Sequence, residues 1–81
     1  MEDIHGIDIY GLDEEHYINN IADQLDGNGF EIYDYTWHRV KNWGQVAVIG
    51  TLADAVDAAN FVRNWGRNMY PPIEVEIGLP F

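Results

Sequence analysis

"FEIYDYTWHRVKNWGQVAVIG", residues 30–50, decides the fold. Its first half, FEIYDYTWHRV, is dense in aromatic and β-branched residues and reads as a long strand. KNWG then reads as a tight turn, because Asn42 and Gly44 tolerate the positive φ that hairpin turns require. QVAVIGT is the returning strand. The three parts together make an antiparallel hairpin with Trp43 exposed at or near its tip. The returning strand is apolar at both parities, Val46 and Val48 on one side and Ala47 and Ile49 on the other, which suits the centre of a sheet.

Working outward, the segment before the hairpin changes period once. IHGIDIYG alternates, with Ile7 and Ile9 pointing one way and Asp8 and Tyr10 the other, as in a strand. LDEEHYINNIADQLDGNG then places Ile18, Ile21, Ala22 and Leu25 at helical spacing. Asp13 is the expected N-cap, and Glu14 and Glu15 fall in the first turn, where the helix dipole favours anions. Gly27 or Gly29 ends this helix. Its outer face carries Glu15, Asn19, Asp23 and Asp26.

The segment after the hairpin repeats the order. TLAD is a capping box with Thr51 as N-cap. The helix it opens has Ala55, Ala58, Ala59 and Val62 on one side, flanked by Phe61 and Trp65. Gly66 is its expected C-cap, and Pro71-Pro72 forbids continuation. IEVEIGL closes the chain as an alternating strand, with Ile73, Val75, Ile77 and Leu79 inward and Glu74 and Glu76 outward.

The order is β-α-β-β-α-β in one domain spanning residues 1–81. This resembles the ferredoxin-like α+β fold, which implies a four-stranded antiparallel sheet with strands one and three central and two helices on one face. The other face is then open. Strand one offers Asp8 and Tyr10 to it, and strand four offers Glu74 and Glu76. Strand two offers either Glu31, Tyr33, Tyr35, Trp37 and Arg39 or Phe30, Ile32, Asp34, Thr36 and His38. The first set is the expected outward one, since Phe30 and Ile32 suit a core-facing row and burying Glu31 with Arg39 is costly. Its weakness is an inward Asp34, which a β-bulge near Asp34 or Thr36 would relieve by shifting the register.

Charge narrows the partner. The formal net charge is −10. Residues 1–36 contain ten acids (Glu2, Asp3, Asp8, Asp13, Glu14, Glu15, Asp23, Asp26, Glu31, Asp34) and no base, whereas residues 37–81 contain four of each. Such a field repels nucleic acid and anionic membrane and attracts basic proteins. RNA-recognition domains of this topology stack bases on sheet aromatics beside basic residues; here the RNP motifs are absent and the charge is reversed. Glu74 and Glu76, two apart on a strand, are spaced by about 6.5–7 Å, near the spacing of phosphates along DNA. In size, charge, fold order and lack of cysteine the chain resembles small phage-encoded DNA-mimic and anti-CRISPR proteins. That resemblance implies an inhibitor occupying a basic, nucleic-acid-binding groove of a partner, such as a CRISPR effector, in the cytoplasm of a host. No motif accompanies it.

Chemistry of other kinds finds little support. There is no cysteine, so disulfides, thiolate metal sites and C-x-x-C metallochaperone chemistry are excluded. There is no serine, and Thr36 and Thr51 have no paired base. His5, His16 and His38 lack metal-ligand spacing. The loop GLDEEH has the wrong charge for the phosphate loop of ferredoxin-like acylphosphatases, and a lone Gly11 is weak evidence for an amino-acid pocket. The acidic N-terminus argues against a signal peptide, and no apolar run is long enough to span a membrane. The expectation is a non-enzymatic interaction protein without cofactor or metal. Its docking residues would be Asp8, Tyr10, Glu31, Glu74 and Glu76 on the sheet, or Glu14, Glu15, Asp23 and Asp26 on the first helix, with Tyr33, Tyr35 and Trp37 as anchors. The rival expectation is a homodimer paired through the open sheet, serving assembly or small-ligand binding.

Overall fold

A computed structural model describes residues 3–69 and 72–78. Six elements follow in order: β1 (Asp3–Tyr10), α1 (Glu15–Gly27), β2 (Glu31–His38), β3 (Trp43–Gly50), α2 (Leu52–Trp65) and β4 (Glu74–Gly78). The strands form one antiparallel sheet in the order β2-β3-β1-β4. This is the ferredoxin-like α+β arrangement, with β1 and β3 central. The expected Leu79 of the last strand and Pro71 of the helix stop lie outside the described residues.

Both helices press on the same face. Ile7 and Ile9 of β1, Val46 and Val48 of β3 and Val75 of β4 join Ile18, Ile21, Ala22 and Leu25 of α1 and Ala55, Ala58, Ala59 and Val62 of α2 in one buried cluster. Burial of that apolar surface is the main force holding the fold together. The alanines let α2 lie close to the sheet, and Phe30, Phe61, Tyr17 and Trp65 seal the rim.

Local rules set the ends of the helices. In α2, the Thr51 hydroxyl accepts from Asp54 N–H at 3.2 Å while the Asp54 carboxylate accepts from Thr51 N–H at 2.9 Å, a complete capping box. Gly66 is its C-cap; a Cβ there would lie 2.2 Å from Cδ1 of Ile73, so glycine lets the Ile73 side chain pack over the helix end without being displaced. In α1 the N-cap is Glu14 rather than the expected Asp13, and its side chain makes no capping bond. The loop before it is held from elsewhere: the Asn42 carbonyl accepts from the N–H groups of Gly11 and Leu12 at 2.8 and 3.0 Å. The Glu14 carboxylate instead lies 3.0 Å from His16 Nδ1, both groups exposed. Gly27 ends the helix, and Gly29 beyond the cap takes the left-handed φ of +91°. Gly11 takes φ +98° against the backbone of Pro72 and Ile73, which accounts for glycine there without a ligand pocket.

The hairpin departs from expectation at its turn, while the bulge allowed for near Asp34 is present. Its turn is residues 39–42, with Asn42 at φ +49°; Gly44 is instead buried within β3, under Ile18. Trp43 directly follows the turn as the first residue of β3, and it is half-buried rather than exposed. In addition, β2 carries a bulge between Ile32 and Asp34. Before it, Glu31 faces the open side and Ile32 the helices. After it, Asp34, Thr36 and His38 pair with Ala47, Gln45 and Trp43 on the open side, and Tyr35 and Trp37 turn toward the helices. The expectation of a single outward set Glu31-Tyr33-Tyr35-Trp37 is thus corrected. Without the extra residue, Asp34 would be buried and the Trp37 ring would stand in water. With it, a carboxylate is solvated and an indole packs on the core. Asp34 Oδ1 also accepts the Tyr35 N–H at 2.8 Å, and Trp37 Nε1–H donates to the Leu12 carbonyl at 2.9 Å.

Candidate functional site

The face of the sheet away from the helices is the candidate site, and strand register lays out its rows. At the hairpin end, His38, Trp43, Tyr10 and Glu74 lie side by side across β2, β3, β1 and β4. The next row is Thr36, Gln45, Asp8 and Glu76; the next is Asp34, Ala47, Gly6 and Gly78; beyond it Glu31 and Ile4 flank Ile49. Five carboxylates (Asp8, Glu31, Asp34, Glu74, Glu76) therefore stand on these strand positions, and none of the positions is Lys or Arg. The small residues Gly6, Ala47 and Gly78 leave the middle of the face low.

Two features give the face a built geometry. Gln45 is buried at 2% exposure although it points away from the helices, and its Nε2 donates to Asp8 Oδ1 at 2.5 Å. The other Asp8 oxygen lies over Gly78, where a Cβ would come within 2.6 Å of it. Asp8 is thus fixed in the floor of the face, next to Glu76 on the paired strand. At the hairpin end, the His38 and Trp43 rings stack with centroids 4.7 Å apart and planes 22° apart. Together with Tyr10 and Lys41 they line a cleft of about 290 Å³.

The sequence-predicted docking residues divide between two sides of the molecule. Asp8, Tyr10, Glu31, Glu74 and Glu76 share the open face. Glu14, Glu15, Asp23 and Asp26 are exposed, but they belong to α1, on the side the helices cover. Tyr33 is the extra residue at the bulge and Tyr35 follows it on edge strand β2, both exposed (64% and 43%). Trp37 is not on the open face at all. The aromatic residues that do share the face with the carboxylates are Tyr10, His38 and Trp43; His38 and Asp34 belong to the alternative outward set of strand two, and Trp43, Gln45 and Lys41 are not among the expected docking residues. An inward Asp34 was the available signal, since its cost is what the bulge removes.

Among the described residues, no group of three His, Asp or Glu side chains is disposed to hold a metal ion. No helix of the described residues is long and apolar enough to cross a membrane. Comparison with known proteins finds no matching family model, no matching curated protein and no matching solved structure. The fold assignment accordingly rests on strand order and connectivity.

Proposed function

We propose that the chain is a non-enzymatic, acidic interaction protein whose open sheet face occupies a basic, nucleic-acid-binding groove on a partner protein, acting as an inhibitor of the DNA-mimic or anti-CRISPR kind. One observation carries this reading: five carboxylates from three strands share a face whose strand positions hold no Lys or Arg, beside three rings at one end. Evenly distributed acids serve solubility. Acids gathered on a sheet face that the protein's own helices leave uncovered present a negative surface to a macromolecule. Phosphate groups are repelled by it, so nucleic acid is the competitor and not the ligand.

The face also bears on the homodimer reading. A two-fold pairing through the open sheet would set the five carboxylates of one copy's face against the same acidic face of the next, at a cost in repulsion and desolvation. The acidic partner surface is therefore the better reading.

The test is displacement. The tagged chain is used to capture proteins from nuclease-treated lysate of a candidate host, and a captured protein is assayed for nucleic-acid binding with the chain added. The reading expects nucleic acid to be released, capture to weaken as salt rises, and both effects to vanish for Glu74→Lys with Glu76→Lys. Capture that is indifferent to salt and to that double substitution would refute charge imitation.

A further inference from the structure

We propose that the Tyr10–His38–Trp43 cleft is a socket for one arginine side chain of the partner, whose guanidinium lies flat on the rings with Glu74 as its counter-charge. The proposal rests on the reading of the open face as a docking surface for a basic protein, and deepens it to a single anchoring contact.

The lining selects the chemistry. Three rings and the Lys41 stem form the cleft, and His38 is already stacked on Trp43, so a flat surface is prepared. A guanidinium is planar and weakly hydrated and stacks on aromatic faces, whereas a lysine ammonium keeps its water and has no plane to stack. The surroundings select the sign. Glu74 is the cross-strand neighbour of Tyr10, and Asp8 and Glu76 form the adjacent row. An anion would enter against these carboxylates, while a guanidinium can give Glu74 a charge-assisted, two-pronged hydrogen bond. Lys41 also lines the cleft, and it sits on the exposed turn with solvent available to its ammonium. It works against a cationic occupant, which makes it a reporter of the occupant's sign.

The experiment is an NMR titration of the full chain with a blocked Gly-Arg-Gly peptide and its lysine and citrulline counterparts, citrulline being the uncharged, planar analogue of arginine. Signals of the Trp43 indole and the Tyr10 ring should move and saturate. Those of Trp37 and Trp65, which pack on the helix side, should stay. The arginine peptide should bind about fivefold or more tighter than either counterpart, and Trp43→Leu and Glu74→Gln should each weaken it by about five- to tenfold. Lys41→Met should tighten it by about two- to threefold. Equal binding of the three peptides, or weakening by Lys41→Met, would overturn the socket. The two levels of the proposal fail differently. Arginine and lysine peptides that bind alike, sensitive to salt and to Glu74→Lys with Glu76→Lys but not to Trp43→Leu, would remove the socket and leave the acidic docking face standing. Absence of binding by any basic peptide, together with failed capture of a partner, would remove both.

Discussion

The two faces of this sheet are built from the same four strands and follow opposite rules. On the helix side, Ile7, Ile9, Val46, Val48 and Val75 are buried among apolar helix residues. On the other side, neighbouring positions of the same strands carry Asp8, Tyr10, Trp43, Gln45, Glu74 and Glu76. Folding alone accounts for the first face. It does not account for the second, where Asp8 and Glu76 are placed directly across from one another, an arrangement that costs stability. The contrast ties stability to the covered face and is the ground for the proposal that the open one serves interaction.

Substitutions on matched positions can break or sharpen that division. The largest effect is expected for Ile9→Ala, in the fully buried centre of the covered face: a loss of roughly 2–5 kcal/mol in urea unfolding, a large part of the margin of a small domain. Next come two glycines. Gly66→Ala drives a methyl into Ile73 and should cost about 1–3 kcal/mol. Gly78→Ala meets the end of the Asp8 side chain on the open face, which can turn aside by giving up its Gln45 hydrogen bond, so its cost should be smaller; comparable losses would blur the distinction between the faces. Third is a tryptophan pair. Trp37→Phe leaves the Leu12 carbonyl without its indole donor and should cost about 1 kcal/mol, whereas Trp43→Leu should spare stability and reduce partner binding. The smallest effect is the most telling in sign. Glu76→Gln relieves repulsion with Asp8 and should raise the unfolding free energy by about a few tenths of a kcal/mol while weakening binding.

Much of this was legible in the residues, and the rest was hidden for definite reasons. The element order followed from the changes of period at Leu12 and Thr51, and the second helix announced its own start through Thr51 and Asp54. Strand parity placed Asp8, Tyr10, Glu74 and Glu76 together because β1 and β4 are regular. In β2 parity alone misleads, because one extra residue at the bulge reverses the side on which every later residue falls. The same stretch read as KNWG or as RVKN moves Trp43 from a loop tip onto the sheet. Alternation cannot choose between them; the buried Gly44, with Ile18 and the Thr36 carbonyl packed where a side chain would go, does. Gln45 gave no signal beyond being polar, since its burial depends on the cross-strand neighbours Thr36 and Asp8.

The most direct test compares two charge reversals of equal size on opposite sides of the molecule. Glu74→Lys with Glu76→Lys and Asp23→Lys with Asp26→Lys each change the formal net charge from −10 to −6, since each substitution adds two charges. The first pair alters the open sheet face and the second the outer side of α1. Partner capture should be lost for the sheet pair and retained for the helix pair. Equal loss in both would reduce the effect to net charge, and loss in the helix pair alone would move the docking surface to α1; either result contradicts the assignment of interaction to the open face.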